Sequence, residues 1–224
     1  TMPPPIAALT RELLHDTATI NLARQAAPAI GITQAVYPVS GEKKGPLLLT
    51  LLESGLIKDA LVFTRTKHRA DRLAAFLIKA RIKAERIHGN RSQSQRTAAL
   101  AGFKSGKHRV LVATDIAARG IDVEALGHVV NFDVPKVPED YIHRVGRTAR
   151  AEATGDAFTF VSYEEEADLA RIERAIGKRL PRVTVPDFDY GPQVAPSVTP
   201  PASRPPQHGR RGSGGGSSGS GTRS

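Results

Sequence analysis

From Thr33 onward, short apolar blocks alternate with longer stretches whose apolar residues recur at helical spacing. The blocks predict strands at Gln34–Val39, Ala60–Phe63, Ala84–His88, Val110–Ala113, His128–Phe132 and Asp156–Val161. Between them the spacing predicts helices over Glu42–Ser54, Lys67–Ala80, Ser92–Lys104 and Glu164–Ile176, and one opening at Pro138-Glu139-Asp140. In the Lys67 helix, Ala70, Leu73, Ala74 and Leu77 share a face, and Gly55, Gly106 and Gly177 stand where helices stop. Apolar strands alternating with helices predict a parallel sheet covered on both faces. Right-handed crossovers then make it a doubly wound α/β fold.

The pattern ends near Pro186. Residues 191–224 are rich in Pro, Gly and Ser, carry Arg204, Arg210, Arg211 and Arg223, and have few apolar side chains. Such a segment cannot bury enough surface to offset its ordering entropy, so 186–224 is expected to be a disordered basic tail. It is either a salt-sensitive RNA tether or a solubilising segment. The formal charge of +10 points to polyanionic partners. Zero Cys excludes disulfides and thiolate zinc sites and suits a reducing cytoplasm. No signal peptide and no run of membrane-spanning length is visible, so no membrane partner is expected. Aromatic content of 5% argues against RNA binding by stacking platforms.

The densest candidate chemistry is Tyr141-Ile142-His143-Arg144-Val145-Gly146-Arg147-Thr148-Ala149-Arg150. On a helix, Arg144 and Arg147 share a face, and Arg150 follows at its end. Three guanidiniums without an interleaved carboxylate repel one another, and the arrangement makes sense against an anion such as a triphosphate. The bland alternative is a solvated basic helix face. Upstream, Val110 to Ala113 runs into the turn Thr114-Asp115-Ile116-Ala117-Ala118-Arg119-Gly120-Ile121-Asp122, at a strand's carboxyl end where α/β ligands bind.

Together these stretches resemble motifs V and VI of superfamily 2 helicases, most closely DEAD-box RNA helicases of the bacterial RhlE-like branch. Val62-Phe63-Thr64-Arg65-Thr66-Lys67 is similar to motif IV, Ile87-His88-Gly89-Asn90-Arg91-Ser92-Gln93-Ser94-Gln95-Arg96 to the segment after it, and Val130-Asn131-Phe132-Asp133-Val134-Pro135 is also typical. The resemblance covers residues 1 to about 180 in unbroken order. It implies a RecA-like helicase C-terminal domain at 33–185 that closes on a partner domain to part short RNA duplexes by ATP hydrolysis.

By that resemblance Arg147 and Arg150 are arginine fingers toward the γ-phosphate of ATP, and Asp122 contacts ribose and the attacking-water region. His143, Arg144 and Gly120 belong to the nucleotide and interdomain surface. Thr66, Gly89, Gln93, Arg96 and Thr114 line the RNA path, and Arg119 contacts RNA or the partner domain. Contacts to phosphates and 2′-hydroxyls are expected, since a motor acting on any duplex ignores base identity. Ala149 departs from the Gly common at that place. Asp115 reads as structural, His88 as a satisfied strand-end histidine, and Glu164-Glu165-Glu166 as a dipole-complementing helix start rather than a metal site.

Thr1 resembles the Thr of the Ser-Ala-Thr motif in the family's first RecA-like domain, and Met2-Pro3 the Met-Pro that follows that motif. A helix through about His15 and a strand at Thr19–Ala23 are then expected as a remnant of that domain over 1–23, with 24–32 as the interdomain linker. Neither GxxxxGK(S/T) nor Asp-Glu-Ala-Asp occurs in the sequence. The missing N-terminal RecA-like domain is therefore expected to hold ATP and Mg2+, and this chain alone to be inactive. The rival reading is a stand-alone, non-catalytic RNA-binding module.

Overall fold

The computed structural model describes residues 4–15, 31–118, 126–148 and 155–191. Helix α1 (Pro4–Leu13) comes first. Six strands follow: β1 (Ile32–Pro38), β2 (Ala60–Phe63), β3 (Ala84–Ile87), β4 (Val110–Ala113), β5 (His128–Asn131) and β6 (Gly155–Val161). The helices that connect and follow them are α2 (Lys44–Glu53), α3 (Lys67–Lys79), α4 (Gln93–Lys104), the single turn α5 (Asp115–Ala118), α6 (Pro138–Val145) and α7 (Glu166–Ile176). The expected strand at Thr19–Ala23 and linker at 24–32 fall outside the described residues, apart from Gly31 and Ile32 at the linker's end. So does the expected tail beyond Gly191.

Local chemistry explains the boundaries. Thr66 caps α3, its hydroxyl accepting from the Arg69 amide at 3.2 Å. Ser92 and Gln95 form a reciprocal capping box on α4. Helix α2 starts later than the sequence pattern predicts: residues 41–43 form a turn closed by Lys43 N–H donating to Ser40 O at 3.0 Å. The acidic run splits: Tyr163–Glu165 is a 3-10 turn locked by a Ser162–Glu165 capping box, and α7 begins at Glu166. Gly177, at φ 68°, ends α7 in the left-handed conformation that a side chain would strain.

Among the described residues all strand pairings are parallel, in the order β1-β6-β5-β2-β4-β3. Alternate strand residues serve opposite faces. Val62, Val110, Val112 and Val130 pack with α2 and α3, whereas Leu61, Phe63, Leu111 and Val129 pack with α4 and α5. Helices α6 and α7 join that second face over Val36, Ala157 and Val161. The expected doubly wound, RecA-like sheet is what forms. After β4 the chain crosses from one side of β2 to the other, so the crevice of the fold lies at the carboxyl ends of β2, β4 and β5.

The folded part runs further than composition suggests. The outer edge of β1 is covered by residues 181–183, with Val36 N–H donating to Pro181 O and Val183 N–H donating to Val36 O, both at 2.8 Å. Val185, Phe188 and Tyr190 pack against the α2/α3 core. Residues 186–191, assigned by composition to the tail, follow this edge segment and fold back on the core through Phe188 and Tyr190, because their apolar side chains find a surface that local composition does not reveal.

Leu77 is fully buried on the apolar face of α3. Leu77→Ala is expected to cost about 2–5 kcal/mol, read as a lower urea midpoint with an unchanged denaturant slope.

Candidate functional site

Helix α6 opens with Pro138 in its first turn and Glu139 and Asp140 beside the positive end of its dipole. It ends at Gly146, so Arg144 sits in the last turn and Arg147 beyond it. Arg144 corrects the expectation of three forks facing one anion together. It is 3% exposed and points inward. Its Nε and Nη2 donate to the two carboxylate oxygens of Asp115 at 2.6 and 2.7 Å. Its Nη1 donates to Asn131 Oδ1 at 3.2 Å and Asp133 O at 2.8 Å, and the guanidinium lies 5.0 Å from the Phe63 ring centroid. The carboxylate missing from the arginine run comes from another element, the start of α5. Asp115 therefore takes the structural part expected of it.

His143 is exposed and Arg147 half-buried. With Phe63, Asp115, Ala118, Asp140 and Arg144 they surround a recess of about 20 Å³. Arg147 O accepts from Leu126 N–H at 3.3 Å, fastening this segment to the start of β5. Arg150, Asp122, Gly120 and Arg119 lie outside the described residues.

A second charged cluster was not read from the sequence. Lys44 is 1% exposed, pairs with Glu165, and donates to Phe132 O at 2.9 Å. Burial pushes its ammonium below the ordinary value, and Glu165 pulls it part of the way back. Glu165 also accepts from Arg65 Nη2 at 3.1 Å, Val134 N–H at 3.3 Å and Ser162 N–H at 3.2 Å. So Glu165 is more than a dipole complement; the Ser162-x-x-Glu165 capping-box spacing was the available signal. Asp133 joins the two clusters. Its carboxylate accepts from Arg65 N–H at 2.8 Å and touches Arg69 Nη2 at 3.1 Å, while its carbonyl accepts from Arg144. The contact with Arg69 is ionic rather than a directed hydrogen bond, since Asp133 Oδ1 has no hydrogen-bond partner.

The expected RNA-facing residues line the same edge. Thr66 and Gly89 are exposed in the loops after β2 and β3, and Thr114 is half-buried after β4. A Cβ at Gly89 would meet nothing within 4 Å, so packing does not require glycine there. Gln93 Oε1 accepts from Arg96 Nη1 at 3.3 Å, and Arg96 Nη2 donates to Ala117 O at 3.2 Å, tying α4 to α5. His88, read as satisfied, is only half so. Its Nε2 lies 3.0 Å from Asp71 Oδ1, but its buried Nδ1 has no hydrogen-bond partner among the described residues. Burial raises the Asp71 carboxyl, yet hydrogen bonds from His88 and Arg86 outweigh it and hold the group below its ordinary 3.8.

Residues 43–152 match the family model described as the helicase conserved C-terminal domain. Over 189 residues the chain is 40% identical to the DEAD-box ATP-dependent RNA helicase CshA of Geobacillus kaustophilus, covering 84% of this chain and 40% of that protein. Bacillus subtilis CshA is 39% identical over 199 residues, covering 89% and 40%. The chain thus spans about 40% of the length of these curated relatives. The crystal structure of the E. coli DEAD-box protein SrmB bound to regulator of ribonuclease activity A matches with a TM-score of 0.66 at 36% identity, covering 69% of this chain and 91% of that one. S. cerevisiae Dbp5 bound to RNA and ADP BeF3 matches with a TM-score of 0.71 at 26% identity, covering 82% and 49%.

Two measurements probe these clusters. Arg144→Ala is expected to cost about 3–5 kcal/mol by leaving Asp115 unpaired, and Arg144→Lys about 1–3 kcal/mol by losing the second fork. An unchanged urea midpoint in Arg144→Ala would contradict the structure. Because the folded-state pKa of Asp71 is depressed, its contribution is complete above the unfolded value and lost as pH falls through the folded one. Between about pH 5 and about pH 3 the wild type should therefore lose stability more steeply than Asp71→Asn.

Proposed function

Because the chain belongs to the DEAD-box RNA helicases, as their C-terminal helicase domain, we propose that it forms one lobe of an ATP-dependent RNA helicase. In this reading residues 33–185 are the RecA-like lobe, 24–32 link it to an N-terminal RecA-like domain, and 1–23 are the end of that domain. The observation that carries the reading is convergence: the loops holding Thr66, Gly89 and Thr114, and the recess beside His143 and Arg147, all lie at the carboxyl edge of one parallel sheet.

The recess of about 20 Å³ has room for a water molecule, not a nucleotide. Among the described residues no group of three or more His, Cys, Asp or Glu could hold a metal ion. The lobe fits as the lid of a nucleotide site whose phosphate cradle and Mg2+ ligands belong to the partner domain. ATP bound there would supply the phosphoryl group and its growing charge. Arg147 and Arg150 would donate to the terminal phosphate oxygens, an effect worth about 10³–10⁵ in rate in NTPases. Arg144, engaged by four acceptor oxygens, is reassigned from contacting the ligand to holding the segment that carries Arg147. Asp122 would meet the ribose side, and His143 and Gly120 the opposing domain.

RNA would cross Thr66, Gly89, Gln93, Arg96, Thr114 and Arg119 through phosphates and 2′-hydroxyls. The open space at Gly89 supports this, because a backbone could approach its amide unhindered. Closure of the two lobes would then bend one strand and part a short duplex.

The purified 224-residue chain is expected to show no RNA-stimulated ATP turnover. Fused to an N-terminal domain bearing the phosphate cradle, it should turn over, and Arg147→Lys should lower that rate by about 10³ with little change in melting temperature. Turnover by the chain alone, or an unaltered rate in the fused Arg147→Lys variant, would sink the reading.

A further inference from the structure

We propose that the amino edge of the sheet, at the opposite end from the candidate site, is a docking groove for a protein segment rich in carboxylates and aliphatic side chains. The groove has a volume of about 620 Å³. Its floor is Ile78, Ile82 and Ala84, and its rim carries Arg81, Lys83 and Lys107. It lies where α3 and α4 end and β3 and β4 begin.

Two features lift this surface above an ordinary solvated one. Lysines in a helix's last turn answer the negative end of the dipole, and Lys79 and Lys104 do so on α3 and α4. The rim residues lie past those ends, and among the described residues Arg81, Lys83 and Lys107 form no ion pair. Moreover, Arg81 has φ 64°, a left-handed position after a helix cap that glycine fills without strain. An arginine there is held in a conformation that a side chain strains and a glycine would not.

The occupant follows from the lining. Ile78 is 49% exposed, so the floor offers aliphatic surface to water. The single aromatic ring lining the groove, His108, packs over Gly102 of α4, so successive bases have no stacking platform, and phosphates would gain nothing from the aliphatic floor. Carboxylates paired with aliphatic side chains use both rim and floor. Residues 192–224 of this chain contain no Asp or Glu, which rules out the chain's own C-terminal segment by charge. A partner held here leaves the carboxyl edge uncovered, so it would tether the lobe without competing for the candidate RNA path.

The test uses the full chain, isotope-labelled, with three probes: a fluorescent peptide of mixed Asp, Glu and Leu, its Asn/Gln counterpart, and an oligoadenylate RNA. The acidic peptide is expected to shift the amide resonances of residues 78–84 and 107–108. A Lys83→Glu/Lys107→Glu double variant should weaken it roughly tenfold or more. RNA affinity at the carboxyl edge should stay within about twofold of wild type in that variant. Equal binding of the uncharged peptide, shifts confined to other surfaces, or no binding at all would overturn the proposal. Oligoadenylate shifting the same amides would reassign the groove to RNA. Self-association abolished by the double variant would reassign it to a second copy of the chain.

Discussion

The burial of Arg144 against Asp115 is the constraint on which the carboxyl edge of this lobe depends. Taking a guanidinium and a carboxylate out of water costs several kcal/mol per ion, recovered only where geometry is good and the remaining donors are satisfied. Here Nε and both Nη atoms find acceptors, and the Phe63 ring faces the cation's plane. Such a pair contributes less to net stability than to position. It fixes α6 relative to α5 and the end of β5, and with them the segment leading to Arg147.

Asp133 extends that constraint across the sheet. Its carbonyl serves Arg144 on one side, while its carboxylate holds the loop after β2 through Arg65 and Arg69 on the other. Through Arg65 the loop also engages Glu165, and through Glu165 the buried Lys44 at the start of α2. Loops from four strands are thereby joined by charged hydrogen bonds that strengthen in the low dielectric of their setting. The exposed Thr66, on the loop after β2, remains at the surface of this rigid base.

The two ends of the sheet are built differently. At the carboxyl edge, cations are neutralised by buried carboxylates and little free positive charge remains on Arg65, Arg69 or Arg144. At the amino edge, Arg81, Lys83 and Lys107 stand beside exposed aliphatic surface with no such partners among the described residues. The net charge of +10 is therefore not spread evenly, and the parallel topology, which gathers all strand starts at one end, separates the two environments.

The strands, the apolar face of α3 and the doubly wound class were legible in the sequence, because period-2 and period-3.6 burial are local consequences of backbone geometry. The motifs that place the chain in its family were legible for the same reason, each being a short contiguous stretch. What sequence spacing could not show is that Arg144 turns inward: its partner Asp115 lies 29 residues earlier and meets it only once β4 and β5 lie in the same sheet. Nor did it show Lys44 meeting Glu165, 121 residues apart, or residues 186–191 packing back on the core through Phe188 and Tyr190. Helices and strands are set by neighbours along the chain, whereas the partner of a buried charge is set by which distant loops the topology brings together, and only the tertiary structure decides that.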